Sequence, residues 1–309
     1  MAGFFYFYRM LLTTAIGDSY GLQYEFVPEI IQNDGRTYRS HPKYPQPPGT
    51  YSDDTQMSMA IAEAMLELNP SEWSAEIAAE YFFNTFKRDP RQGYSSRMYE
   101  VLSSTNTVTE FRAGLDMKST RNGAAMRAPL IGLYKTVDEV MLVAEIQAKV
   151  THDTPEGVNS AQAAALMFHG IKNQKEPSEL LEYLQLNGVK LTNDPDERSG
   201  MNAIFKVLDV LKSTKKYLTE ADAFLNQYFT SVLVNSVALG GDTDTVCAIA
   251  MPCAFLLSCR QHSMYRIHLL KSLESGLENK EYGKDYIKRL DLKLFAKFLP
   301  KLKIMEVYK

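Results

Sequence analysis

"SVLVNSVALGGDTDTVCAIAMPCAFLL", residues 231–257, has the apolar length of a membrane span, and two of its own residues argue against that reading. Asp242 and Asp244 fall near its centre, where each carboxylate would cost several kcal/mol in lipid. Two glycines stand immediately before them. The stretch therefore reads as helix, loop and helix in the core of a soluble protein rather than as one span. That reading creates a second question, because carboxylates flanked by apolar runs are costly unless they are paired, hydrogen-bonded or bound to a metal. Compensating groups must come from elsewhere in the chain.

The periodicity around this stretch is helical. In TQMSMAIAEAMLEL, residues 55–68, Met57, Ala60, Ile61, Ala64, Met65 and Leu68 recur at steps of three and four, which makes one face of an amphipathic helix beginning just after Asp53 and Asp54. SAEIAAEYFFNTF, VDEVMLVAEIQAKV, VNSAQAAALMFHGI, MNAIFKVLDVL and the stretch from Thr230 to Leu239 show the same pattern. No run of alternating strands appears. Asn33 to Gly49, with HPKYPQPPG, is too proline-rich for a helix or a central strand and reads as a long loop. NDPDERSG, residues 193–200, marks another break, and the lysine-rich tail from Tyr282 is harder to assign. With no short-period repeat, low-complexity tract or linker, the expectation is one all-α domain over residues 1–309.

Composition bounds the function. The 309 residues, 45% of them hydrophobic, can bury a large core, and a net charge of −3 with scattered charges gives no footprint for nucleic acid or an anionic membrane. Cys247, Cys253 and Cys259 match neither a zinc pattern nor an even disulfide framework and read as reduced core residues. The apolar start, MAGFFYFYRMLLTTAIGDSYG, lacks a basic n-region and is broken by Arg9 and Asp18, so a cytoplasmic protein without a signal peptide is expected.

Two motifs share one character. YSDDTQ, residues 51–56, and GGDTDT, residues 240–245, each offer two acids with hydroxyl neighbours at the head of an apolar helix. Hard oxygen ligands of this kind suit Mg²⁺, Mn²⁺ or Ca²⁺, and four carboxylates in one place need cations to neutralise them. Asp53 or Asp242 alone would read as a helix cap. A cap needs one acid, though, and each motif carries two, so the pair is read as a two-metal site in which each motif compensates the other. Four further segments join them: AIGDSYGLQYEF, with Asp18 and Glu25 around a glycine pair; RDPRQGYSS, with Gly93 and Tyr94; RNGAAMR, with Asn122 and Gly123; and VTHDTPEGVNSAQAA, with His152. Each taken singly is a turn followed by an N-cap, and His152 alone is a structural histidine.

In order and character, GDSYGLQYE, YSDDT, PRQGY, NGAAMR, TH followed by a turn, and GGDTDT resemble the ADP-ribosylglycohydrolase family across roughly Thr14 to Phe255. The resemblance implies a compact all-α, multi-helix bundle with a binuclear Mg²⁺ centre, Mn²⁺ in some members, that cleaves ADP-ribose from modified groups. It implies metal ligation by Ser52, Asp53, Asp54, Asp242, Asp244 and Thr245, with Glu25 a carboxylate near the metals, as base or ligand. Gly93, Tyr94, Ser119, Thr120, Asn122, Gly123 and His152 fall where the family contacts ADP-ribose, and the turn at Asn122 would offer backbone N–H groups to the diphosphate. The expected partner is an ADP-ribosylated protein or a small ADP-ribose conjugate, met by a monomer.

Three departures stand out. Ser52 replaces the usual threonine and keeps the hydroxyl. Met251 and Pro252 replace small residues after GGDTDT and are expected to shorten or kink that helix. The arginine-directed bacterial members carry an aspartate in the loop where this chain has Arg91 and Gln92, whereas the present loop is similar to the PKRGYG-like run of serine-directed members, which points to an oxygen-linked substrate. Two rivals remain at this point: an all-α Mg²⁺-dependent diphosphate enzyme of the isoprenoid-synthase kind, which would want a third acid after Asp53 and Asp54, and a metal-dependent ADP-ribose-binding module without turnover.

Overall fold

The computed structural model describes residues 9–28, 32–218, 225–260 and 268–299. Helices occupy most of that length: α1 (Met10–Leu22), α2 (Asp53–Glu67), α3 (Ala75–Arg88), α4 (Ser96–Ser104), α5 (Val108–Gly114), α6 (Gly123–Met126) and α7 (Val137–Lys149). They continue with α8 (Pro155–Lys172), α9 (Leu180–Leu186), α10 (Gly200–Thr214), α11 (Leu225–Ala238), α12 (Thr243–Ser258), α13 (His268–Gly276) and α14 (Lys284–Phe298). Among the described residues there is no strand, only isolated bridges pairing Lys118 with His152 and Arg121 with Ser199. The apolar start before Arg9, on which the signal-peptide reading rests, and the tail beyond Leu299 lie outside the described residues.

Local chemistry sets several of the starts. Ser74, Thr136 and Thr154 each accept a hydrogen bond from the N–H three residues on, at 3.2, 3.2 and 3.0 Å, and Glu139 returns the favour to the Thr136 amide as a capping box. Pro155 supplies the first helical residue of α8, where its missing N–H costs nothing. The long segment between α1 and α2 is a loop, as its prolines require.

At the centre, α1 crosses α12 at backbone contact. A Cβ on Gly17 would lie 2.2 Å from the Cys247 carbonyl oxygen, and one on Gly21 would lie 2.4 Å from that of Thr243. The glycine pair of GDSYG is therefore no turn. It is an i, i+4 stripe in the last two turns of a buried helix, with Asp18 between its members. Every residue of α12 is buried, and α8, α10 and α11 pack around it while α2, α13 and α14 pack on α1. Residues 231–257 do form helix, loop and helix.

One expectation about an element end is corrected, and one open assignment is filled. Pro252 does not shorten α12, which continues to Ser258 because full burial of its side chains outweighs one missing N–H. The lysine-rich tail is helical through α14, whose Ile287, Leu290, Leu294 and Phe295 close over the core while the lysines face outward. The three cysteines are free; Cys247 and Cys253 are core residues, and Cys259 is half-buried at the end of α12. No described helix is long and apolar enough to cross a membrane.

Candidate active site

The two acidic motifs meet because α1 touches both of the helices that carry them. Asp18, wholly buried, accepts the Ser52 amide at 2.9 Å and hydroxyl at 2.8 Å, and the Thr55 amide at 3.0 Å and hydroxyl at 2.5 Å. It thus fixes the N-terminus of α2. On the other side, the Thr243 hydroxyl donates to the Gly21 carbonyl at 2.8 Å, fixing the start of α12. Gly240 and Gly241 both have positive φ, +65° and +72°, so the loop entering α12 needs glycine at consecutive positions. The turn that ends α1 completes the arrangement, since the Phe26 amide donates to the Gly241 carbonyl at 2.8 Å and holds Glu25 beside the second motif.

The result is a cleft of about 760 Å³ whose lining includes Glu25, Asp53, Asp54, Asp242, Asp244 and Thr245. Glu25, Asp242 and Asp244 each present an oxygen within 4.8 Å of the others. Helix capping does not account for these acids. Ser52, not Asp53, occupies the cap of α2, and Asp242 holds the cap position of α12 without making a side-chain cap bond. Burial, and then neighbouring acids, push the carboxyls of Asp53, Asp54 and Asp244 well above the usual range. Glu25 is pushed up to about 8 by burial and by Asp242 and Asp18, with Arg198 opposing. Asp54 Oδ1 is buried without a hydrogen-bond partner, and among the described residues no lysine or arginine makes an ion pair with any of these acids. Several hard, negative oxygens, one of them orphaned, fit a divalent cation better than they fit one another.

The same cleft also carries basic groups. Lys118, Arg121, Arg127 and Arg198 border the cleft together with Ser119, Asn122, Gly123 and His152. Gly93 and Tyr94 also line it. Gly93 has φ +111°, and a Cβ there would fall 2.3 Å from Asp53 Oδ1, so this glycine is what lets the loop lie against the first acidic motif. Tyr94 presents its ring, while its hydroxyl donates to Gln56 Oε1 at 2.7 Å inside the protein.

Not every residue singled out in the sequence reaches the cleft. Ser52 is buried behind Asp54 with its hydroxyl turned to Asp18, and Thr120 is exposed and off the lining. The Asn122 amide is not available to a diphosphate, because it donates to the Arg198 carbonyl at 2.9 Å, and the helix that follows is a single turn. Arg91, in the loop before Gly93, is buried against the Tyr51 ring, 3.8 Å from its centroid, and paired with Asp89 and Glu278. Sequence reasoning missed Lys118, Arg121 and Arg198 as cleft residues, and missed Asp18 as the group that ties α2 to α1.

A model of the ADP-ribosylglycohydrolase family matches residues 7–251. The chain is 26% identical to ADP-ribosylhydrolase ARH3 of Homo sapiens over 251 residues, covering 65% of this chain and 68% of that one. It is 29% identical to ADP-ribosylhydrolase ARH3 of Xenopus tropicalis over 186 residues, 56% of this chain and 53% of the relative, so in that comparison the match spans about half the relative's length. An uncharacterized protein of Archaeoglobus fulgidus is 28% identical over 263 residues, 79% and 84% of the two chains. A solved ADP-ribosylglycohydrolase-related protein complex superposes with a TM-score of 0.66 at 20% identity, over 93% of this chain and 95% of that one, and so shares the fold.

Proposed function

We propose that this chain, which belongs to the ADP-ribosylglycohydrolase family, hydrolyses the bond between ADP-ribose and an oxygen-linked group, in a reaction requiring two Mg²⁺ ions that Mn²⁺ can replace. The observation that carries this reading is the convergence of Glu25, Asp242 and Asp244 within 4.8 Å, in one cleft with Asp53, Asp54 and the basic residues Lys118, Arg121 and Arg198. Asp53, Asp54, Asp242, Asp244 and Thr245 would hold the ions, with Ser52 supporting Asp54 from behind. Bound there, divalent cations would orient the ribose hydroxyls and acidify a water.

The remaining work falls to the chain's own side chains. Glu25 is the carboxylate placed to take the proton from a water attacking the anomeric carbon. The new carbon–oxygen bond forms as the bond to the leaving oxygen breaks, and that oxygen takes a proton from solvent while Glu25 gives up to solvent the one it removed. Lys118, Arg121 and Arg198 offset the diphosphate charge, and Asn122, Gly123 and His152 shape the wall it rests on.

The oxygen linkage is supported by where the other acids sit. A guanidine leaving group benefits from an acid in the loop before Gly93, but that loop carries Arg91 turned inward, and Asp89 is held by it. Neither Asp89 nor Asp153 borders the cleft, and the one acid in its lining beyond Glu25 and the two motifs, Asp116, lies outside that loop. The test is release of free ADP-ribose from serine-linked, arginine-linked and nucleic-acid-linked conjugates and from O-acetyl-ADP-ribose, with Mg²⁺ and with chelator. Faster initial rates on the oxygen-linked substrates, lost in chelator, are expected. Faster cleavage of the arginine conjugate overturns the linkage, and binding of ADP-ribose without any product overturns the hydrolase.

A further inference from the structure

Among the residues that line the cleft, one histidine, with Arg121 and Arg127 near it, has its polarity set from inside the protein. We infer that Arg127, acting through the Thr151 hydroxyl, holds His152 as the tautomer protonated on Nε2, so that the ring offers a fixed, neutral N–H donor to an oxygen of the bound ligand. Arg127 is then a positioning residue. The ligand's identity as ADP-ribose rests on the function proposed above, while the tautomer does not.

The argument starts at Gln147. Its Nε2 donates to the carbonyls of Ala124 at 3.0 Å and Ala144 at 3.2 Å, which leaves only one way round for the amide, with Oε1 toward Arg127. Arg127 Nε donates to that Oε1 at 2.5 Å, and Nη2 donates both to the Gln147 carbonyl at 3.0 Å and to Thr151 Oγ1 at 2.9 Å. A guanidinium has no lone pair to offer, so Thr151 accepts in this contact. Its own hydroxyl proton then needs an acceptor, and among the described residues the one in reach is His152 Nδ1, at 2.7 Å. If Nδ1 carried the proton instead, two donors would converge on Thr151 Oγ1 and its proton would have no acceptor among the described residues, in a residue only 5% exposed at the edge of the cleft. Nδ1 therefore accepts, and the ring proton sits on Nε2.

Three observations place that donor at the cleft. His152 borders it, and Nε2 has no hydrogen-bond partner among the described residues. A Cβ on Gly123 would come within 3.2 Å of Nε2 and 2.9 Å of Cε1, so the glycine leaves this edge of the ring uncovered. The backbone is anchored as well, by the His152 amide donating to the Ala148 carbonyl at 2.7 Å and by the bridge to Lys118. The ring also stays uncharged, since burial, Arg127 and Arg121 push its pKa down to about 3. Among the described residues Arg127 has no carboxylate partner; its guanidinium lies 4.3 Å from the centroid of the Phe82 ring and makes only the bonds above.

The test is the two-bond nitrogen–proton correlation spectrum of histidine-labelled free protein, with His152 assigned by its absence from His152→Gln. Wild type is expected to show a pyrrole-type Nε2 and a pyridine-type Nδ1. Thr151→Val, which keeps the volume and removes the hydroxyl, is expected to move the ring toward a tautomer mixture and to weaken ADP-ribose binding about tenfold in the presence of Mg²⁺. Thr151→Ser is expected to restore both. A wild-type ring protonated on Nδ1, or a Thr151→Val spectrum unchanged from wild type, overturns the relay; should Thr151→Val not fold, the wild-type spectrum decides alone. A wild-type Nε2–H signal in a protein that fails to bind ADP-ribose leaves the relay standing and removes the proposed function instead.

Discussion

Asp18 and Asp54 are buried side by side, and their oxygens have opposite fates. Both oxygens of Asp18 are taken up by the amides and hydroxyls of Ser52 and Thr55, whereas Asp54 Oδ1 has no partner. The first carboxylate holds the structure together and the second waits for a ligand, which predicts different responses to loss of charge. In chelator, Asp18→Asn should lower stability by about 1–3 kcal/mol, because the amide cannot accept four donors and leaves buried groups unpaired. Asp242→Asn and Asp244→Asn should abolish turnover while leaving the melting temperature in chelator unchanged or raised, because they relieve repulsion among the acids. Equal losses of stability across the three variants would sink the distinction. The acids of GGDTDT were legible in the sequence because paired carboxylates in an apolar run demand a partner. The role of Asp18 was not, since two glycines four apart look the same whether they end a turn or line a helix crossing.

At the scale of elements, the crossing of α1 and α12 does what the motif spacing alone does not reveal. Gly21 lies where a Cβ would come 2.6 Å from the Asp244 amide and 2.5 Å from its Cα, so Gly21→Ala must displace the first turn of α12. Overpacking of this kind costs roughly 1–3 kcal/mol. Calorimetric titration with Mg²⁺ should show a further loss of affinity beyond the one seen for Gly17→Ala, which presses on α12 one turn later at Cys247. A second contact ties the end of the described chain to the same helix. Asp291 of α14, wholly buried, accepts the Leu11 and Leu12 amides at 2.8 and 2.9 Å, and burial pushes its carboxyl up to about 7. Because the folded state holds this proton more tightly than the unfolded chain, whose carboxyl titrates near 4, the contribution is fully present below about pH 4 and is lost as pH rises through about 7. The difference is on the order of 4 kcal/mol. Urea unfolding at about pH 5 and about pH 8 should show wild type losing stability relative to Asp291→Asn as pH rises; parallel pH profiles would refute this. Lysine-rich composition hid α14, whose apolar face is four residues in a charged segment.

For the whole molecule, a net charge of −3 conceals a concentration that composition cannot express: acids from both ends of the chain and the cations Lys118, Arg121, Arg127 and Arg198 line one cleft, with Arg198 close enough to Glu25 to oppose the rise in its pKa. A cleft cation and a solvated surface cation are the same letter in a sequence, which is why the acids were readable and the cations were not. This mixture of charges sets how the two proposed ligands would bind together. Mg²⁺ alone would relieve repulsion among the carboxylates but leave the basic groups unmatched, and ADP-ribose alone would bring a diphosphate to those groups while its ribose met unneutralised acids. Each ligand therefore removes a cost that opposes the other, and linkage makes the benefit mutual. Thermal melts with Mg²⁺, with ADP-ribose and with both should give a combined shift larger than the sum of the separate ones. The excess should shrink as ionic strength rises, since part of it is electrostatic. Shifts that merely add would mean that the two ligands occupy independent sites, and the acids and the basic groups would then have to be assigned separate tasks.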